Sequence, residues 1–436
     1  MTVREELYNG INIQKPWPPR MKEKEQALKK NIDRIPETIC YLSNPPKVIP
    51  IHVGRQLFVD DFLIDTSTLQ RKYYYPEPYV GNPILKPQTK IEKNEGCCPV
   101  AATFTDGVFY DSKDGLYKMW YQAGWFDGTA YAESLDGQNW YRPDLDVVPG
   151  TNMVLPFRKG YKRDGATVWI DHETKDPKSR YKLFVFFRKN EVEEIGELYI
   201  SSDGIHWNGP TITGPCGDAS SFFYNPFRKK WVFSIRKVDV EGDFHYRYRQ
   251  YYETEDFLKG ADWGRNDPVF WYGADDLDKK HAIYDCTTQL YGVDCVAYES
   301  ILLGAFEIFK GPHNRIAEEL GVPKQCDITL GYSRDGFHFC RPDRTAFLKG
   351  SEKKGTWDYG YIHASGGLCI VEKDQLRFYY SAWSGESPKY GKHMYAGGAT
   401  GYATLRRDGF ASVAAEKEGF LTVSYTHLRA HETLMN

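Results

Sequence analysis

Three aspartates stand at matched places in repeated segments of this chain. Asp164 in "YKRDGATVWID" lies seven residues before Asp171, and Asp218 in "CGDASSFFYNP" lies seven before Asn225. Asp294 opens the apolar run "YGVDCVAYES", and His363 of "YIHASGGLCIVE" holds about the same place in a further segment. In the first segment, "NEGCCPVAATFTDGVFYD", the nominal position falls on Thr103 and Phe104, with Glu95 a little upstream. Carboxylates crowded at one point raise one another's pKa, so one can hold a proton while another stays ionised. That is the equipment for glycosidic bond cleavage: an acid for the leaving oxygen, and a base or nucleophile opposite. An acid that opens a strand also serves as a loop cap or an ion-pair partner, and three in register favour the chemical reading.

Other residues fit around these acids. Arg163 would keep the adjacent Asp164 ionised and could hydrogen-bond a sugar hydroxyl. Trp125, Trp169, Tyr361 and Trp383 are candidates for a sugar-stacking rim, or equally for packing between sheets. Glu299 in "AYESILL" falls in an outer turn and ranks below the aspartates, while one of Asp60 and Asp61 could reach the pocket. His206 and His338 belong to repeated turns and are expected at the surface.

The positioning elements show up as internal repeats. "SLDGQNW", "SSDGIHW" and "SRDGFHF" recur at equivalent points, and Asp-Gly supplies the positive φ of a tight turn. A feature repeated once per unit is architecture, so Ser201, Asp203 and His206 of "SSDGIHW" mark a turn and not a catalytic group. Four segments share one plan of aromatic strands followed by this turn, which has degenerated in the third ("YRQYYETEDF"), and a fifth, "LCIVEKDQLRFYYSAWSG", is looser. Five units of about four strands predict an all-β fold, a five-bladed β-propeller with an N-terminal arm. The segment "GRQLFVDDFLIDTSTLQRKYYYPEPY" either closes the ring by adding a strand to the last blade or belongs to a sixth blade. The expected boundaries are an arm over 1–50 and a propeller over 51–422.

Composition agrees. The 436 residues include 32 Tyr, 24 Phe and 11 Trp, which suits many short strands. The net charge is −3 with both signs interspersed, so no nucleic-acid surface is expected. The nine cysteines show no zinc-ligand spacing, and neither a metal nor another cofactor is expected. The first residues lack an apolar signal-peptide core, and no apolar run approaches the roughly 20 residues of a membrane span. The expectation is a soluble cytoplasmic protein with reduced thiols, no membrane partner and an oligomeric state that the sequence leaves open. "VSYTHLRAHET" near the end matches a translated transposase sequencing adapter. The natural sequence is therefore expected to diverge after about Thr422, with residues 423–436 non-native and a β-sandwich lost downstream.

From about Arg55 to Gly419 the chain resembles the five-bladed propeller glycoside hydrolases, the superfamily of invertases, levansucrases and arabinanases (glycoside hydrolase families 32 and 43). "RDGATVWID" is similar to that group's second-blade Arg-Asp-Pro strand, and "GLYKMWYQAG" to its aromatic "YHLFYQ" strand. The resemblance implies Asp164 as transition-state stabiliser and Asp218 as general acid. Two departures stand out. "TFTDG" replaces the first-blade nucleophile motif, and the third-blade acid is Asp where invertases have Glu-Cys. The missing nucleophile or base falls to Asp294 or Glu95, and fructan specificity does not carry over. The repeated turns also resemble the Asp-boxes of sialidases, which need an arginine triad; Arg236, Arg247 and Arg249 are available. The expected function is glycoside hydrolysis of an oligosaccharide or glycoside, with a sialidase-like hydrolase or a non-catalytic sugar-binding propeller as alternatives.

Overall fold

The computed structural model describes residues 5–190, 192–241 and 244–427. Five four-stranded antiparallel sheets follow one another along the chain. Blade 1 runs through Ala101–Asp111, Leu116–Ala123, Gly128–Ser134 and Met153–Leu155, and blade 2 through Tyr161–Ile170, Tyr181–Lys189, Glu193–Ser201 and Asn208–Ile212. Blade 3 holds Ser221–Asn225, Lys230–Glu241, Phe244–Thr254 and Val269–Gly273. Blade 4 holds Gln289–Tyr298, Ile301–Gly311, Gln325–Ser333 and Phe339–Cys340. Blade 5 takes Gly360–Glu372, Gln375–Trp383 and Gly398–Arg406 from the end of the chain. Its fourth strand is Glu77–Pro78, which pairs with Ala403 and Thr404. The segment before blade 1 thus closes the ring, and there is no sixth blade among the described residues.

The first strand of each blade lies innermost, and these strands touch one another around the axis. A blade packs on both faces, so its first two strands are buried along nearly their whole length and do not alternate; Leu183–Phe187 is buried without a break. A separate apolar core fills each gap between neighbouring blades. Trp120, Val168 and Leu183 pack between blades 1 and 2, and Phe186, Phe233 and Trp263 between blades 2 and 3.

The repeated turns connect the third and fourth strands. In each, a serine oxygen and an aspartate oxygen replace the lost ladder partners. Ser201 Oγ accepts from the Asp203 and Gly204 amides, and Asp203 Oδ1 from those of Ile205 and His206. Gly204 at φ +82° makes the corner that a side chain would strain. Blade 3 keeps the device in altered form, with Thr254 and Asp256. The turns also join blades: Trp120 of blade 1 donates to Gly204 O at 2.8 Å, and Trp271 of blade 3 donates to Phe337 O at 2.8 Å. His206 is exposed, as expected. His338 is not, because Trp17 of the N-terminal arm covers it.

In that arm, a helix at Lys22–Lys29 sets Leu28 against Gly273, Tyr248 and Phe270 of blade 3. Leu421–Val423 pairs with Ile64–Ser67, and Thr426–His427 with Ile49–Pro50. Residues 428–436 of the expected non-native tail lie outside the described residues.

Candidate active site

The inner strands break their hydrogen-bond ladders at one level near the axis. In blade 2 the register slips between Arg163 and Gly165, leaving Asp164 as the extra residue. In blade 4 it slips between Leu290 and Gly292, at Tyr291, and in blade 5 between Gly360 and His363, at Tyr361 and Ile362. In blade 3 the strand starts late, and Asp218 precedes Ala219, which is held at φ +50°. Tyr361 has φ +56°, a conformation that costs a non-glycine residue roughly 1–2 kcal/mol. A bulge re-aims a side chain that regular pleating would send between the sheets. Here the bulges, with the late strand start of blade 3, gather Asp164, Asp218, Tyr291 and Tyr361 at the mouth of the axis.

Asp164 and Asp218 share one guanidinium. Arg188 Nε donates to Asp164 Oδ2 at 2.6 Å, and Arg188 Nη2 to Asp218 Oδ2 at 2.6 Å. The other Asp218 oxygen accepts from Arg236. The two guanidinium nitrogens lie roughly 2.3 Å apart in the planar fork, so these carboxyl oxygens are no more than about 7.5 Å from each other. Burial raises the Asp164 carboxyl above the usual carboxylate range, with Arg188, Arg236 and Lys324 opposing. Arg188, one-third exposed, is the outermost member of the group.

Around this pair stand aromatic rings and further cations. Tyr291 and Tyr361 share a hydrogen bond at 2.7 Å. Lys324 Nζ donates to Tyr395 OH at 2.8 Å and lies over the rings of Tyr291, Tyr361 and Tyr395. Arg247 lies over the Tyr291 ring, and its Nη1 donates to Gln289 at 2.7 Å. Trp125, half-buried, stacks on Tyr395 with centroids 4.3 Å apart. One cleft adjoins the mouth at Arg236, and a second lies beside Gly385. The first, of about 470 Å³, includes Arg236, Lys237 and Arg265; the other, of about 670 Å³, includes Lys93, Gly385 and Lys392. Neither is centred on the carboxylates.

The sequence expectations divide at this point. Asp164, Asp218, Trp125 and Tyr361 come together at the mouth. Asp294 does not join them: three residues beyond Tyr291, at about 3.3 Å per residue, it lies roughly 10 Å deeper. There burial and the neighbouring Glu307 push its carboxyl up to about 7. His363 belongs to that lower layer, with Nδ1 3.0 Å from Glu307 Oε2, and is fully buried. Arg163 turns away from Asp164 to pair with Asp106 and reach Thr129 Oγ1 at 3.3 Å, sealing blade 2 against blade 1. Trp169, near the far end of its strand, packs edge-on against Phe109. Trp383 is buried against Phe104 and Tyr361. Glu95 is exposed on a turn whose Gly96 carbonyl accepts from Lys389 N. Asp60 pairs with Arg334 and Asp61 with Arg71, away from the mouth, and Glu299 meets Arg55 at the outer turn. Of the three arginines considered for a triad, Arg236 and Arg247 reach the mouth, while Arg249 donates to Ala219 O beneath it.

Sequence reasoning passed over Arg188, Lys324, Tyr291 and Tyr395. One signal was present: "FFRK" closes the second strand of blade 2, and "SIRK" lies where blade 3's second strand passes the start of the first. An antiparallel second strand comes beside the start of the first, so Arg188 and Arg236 are brought to the level of the aspartates. Among the described residues, no group of three or more His, Cys, Asp or Glu side chains is placed to hold a metal ion.

No family model and no curated protein matches the chain. Solved structures do. An N-acetylgalactosamine deacetylase from F. plautii, in complex with blood group B trisaccharide, superposes with a TM-score of 0.51 at 16% identity, over 78% of this chain and 95% of its own. A glycosyl hydrolase from Bacteroides ovatus gives 0.49 at 11% identity, over 81% and 97%. A thermostable family-43 glycoside hydrolase gives 0.48 at 14%, over 71% and 93%. The class defined by the fold is thus the five-bladed β-propeller expected from the repeats, built on a frame that a carbohydrate-handling enzyme also uses.

Proposed function

We propose that the protein is a glycoside hydrolase that binds an oligosaccharide or other glycoside in the propeller mouth. Asp164 is its proton donor and Asp218 the opposing carboxylate. The observation that carries this reading is the pair itself: two carboxylates from adjacent blades within one guanidinium's reach, in contrasting surroundings. Asp164, raised by burial, suits the acid that protonates the leaving oxygen. Asp218 accepts from Arg188 on one oxygen and from Arg236 on the other, which suits a carboxylate that stays ionised. This order of roles reverses the one implied by the family resemblance. In the net reaction water adds across the bond. The Asp164 proton goes to the leaving oxygen, hydroxide ends on the anomeric carbon, and the water's other proton restores the acid. The Trp125–Tyr395 stack offers an apolar face for a sugar ring. The trisaccharide bound by the F. plautii deacetylase supports a carbohydrate ligand for the same fold.

Asp164→Asn and Asp218→Asn test the assignment on a panel of aryl-glycosides and oligosaccharides. Each is expected to lower turnover by about 10²-fold or more while the protein remains folded. Full activity in both variants rejects it. Arg188, spanning both carboxylates, favours a second reading as a sugar-binding propeller without catalysis. In that case wild-type protein binds a panel member and leaves it intact.

A further inference from the structure

The mouth holds more positive than negative charge. Arg188, Arg236, Arg247 and Lys324 converge there against Asp164 and Asp218. Arg188 and Arg236 are paired with those carboxylates. Arg247 and Lys324 have no carboxylate within ion-pair distance among the described residues. Arg247 donates to an amide oxygen and Lys324 to a phenol. Lys324 is 3% exposed, and Arg247 Nε, also buried, has no hydrogen-bond partner among the described residues. A buried cation without a counter-ion is costly and is normally paired. The excess extends outward. The cleft beside Arg236 adds Lys237 and Arg265 against one acid, Glu194; the second cleft, beside Gly385, holds Lys86, Lys93, Lys354 and Lys392 against Glu386 alone. All this occurs on a chain whose net charge is −3.

We propose that Arg247 and Lys324 form a subsite for an oxyanion carried by the sugar substrate, so that the protein acts on acidic glycosides bearing a carboxylate or a sulfate. This rests on reading the mouth as the substrate site. Arg247 presents a planar fork that matches either group, and Lys324 presents a point charge beside it. Both lie over the Tyr291 ring, on the wall that continues through Tyr395 to Trp125. One sugar can therefore place its ring on the aromatic wall and its anion on the cations. The lysine- and arginine-lined clefts would receive the next acidic residues of a chain.

Calorimetric binding to the full chain carrying Asp164→Asn tests this without consuming the ligand. The probes are oligogalacturonides and oligoglucuronides with their carboxyl-reduced counterparts, sulfated galactan oligosaccharides with their desulfated counterparts, and inorganic phosphate. At least one acidic probe is expected to bind tenfold or more tightly than its neutral counterpart, and to weaken as salt rises. A carboxylate and a sulfate probe binding unequally identifies the group. Adding Arg247→Met or Lys324→Met should weaken that binding tenfold or more with little change in melting temperature, and Arg247→Lys should restore part of it. Neutral probes binding as well as acidic ones, or no acidic preference anywhere in the panel, overturns the inference. So does phosphate occupying the site while only neutral glycosides bind beside it. The two readings fail separately. Acidic probes bound through Arg247 and Lys324, but never cleaved by wild-type protein, would remove the hydrolase and keep the subsite. Neutral probes cleaved with KM unchanged in both variants would do the reverse.

Discussion

Arg188→Met should cost more than removing a one-third-exposed arginine normally does, and the cost should fall on one carboxylate. Among the described residues Arg188 is the sole ion-pair partner of Asp164, whose side chain is 10% exposed, whereas Asp218 keeps Arg236. Breaking one partner from a buried pair costs about 3–5 kcal/mol, and from an exposed pair about 0–1 kcal/mol. With Arg188 itself one-third exposed, about 2–3 kcal/mol is expected. Scaled to a chain of this length, that is a fall of about 2–3 °C in Tm. Combining Arg188→Met with Asp164→Asn should recover most of the loss, since a neutral amide needs no counter-ion. Combining it with Asp218→Asn should recover little. The sign with pH follows from the raised Asp164 carboxyl. Without Arg188 its folded-state pKa rises further above the unfolded value, so the stability lost grows as pH rises through that window and shrinks in acid. Calorimetric melts of the four proteins, wild type included, at pH 5 and pH 8 measure each quantity. A defect below about 0.5 kcal/mol, equal rescue by the two asparagines, or a defect larger at pH 5 would refute the reasoning.

Three further outcomes are expected. Asp294, pushed up to about 7 by burial and Glu307, binds its proton more tightly folded than unfolded. It therefore lowers stability as pH rises from about 4 to about 7, and Asp294→Asn should raise Tm relative to wild type by more at pH 8 than at pH 5. Ser201→Ala removes the oxygen that accepts from two turn amides and should cost about 1–2 kcal/mol, read as a Tm fall of about 1–2 °C; an unchanged Tm would show the turn to be held otherwise. Burial, Arg247 and Arg236 push the Lys324 ammonium down to about 7, against Cys326 and Asp164, with the phenols of Tyr291, Tyr361 and Tyr395 also facing it. Affinity for an acidic oligosaccharide should then weaken between pH 6 and pH 8. Lys324→Arg, charged throughout, should abolish that dependence, and a parallel decline in both proteins would assign it to another group.

The propeller was legible because its signals are local. The Ser-x-Asp-Gly turns satisfy their own backbone within a few residues, so "SSDGIHW" announces its structure anywhere in a chain and recurs at the same place in blades 1, 2 and 4. Asp164 and Asp218 were legible for a related reason: their distance from the end of the inner strand recurs between blades. What failed was every inference that needed the pleat or the third dimension. Arg163 adjoins Asp164 in sequence, yet successive side chains on a strand point to opposite faces, and the bulge at Asp164 leaves Arg163 facing Asp106. The charge beside Asp164 is Arg188, 24 residues later, delivered by antiparallel pairing. Asp294 opens an apolar run as Asp164 does, yet it stands four residues before its strand's end at Tyr298 where Asp164 stands six before Ile170, and so it falls below the slip at Tyr291. Sequence by itself determined the repeat, the turns and the two acids that open blades 2 and 3. Only the closed ring, completed by Glu77–Pro78 on a strand more than 300 residues away, decided which cations and tyrosines surround them. Convergence on an axis is a property of all five blades together, and no single repeat contains it.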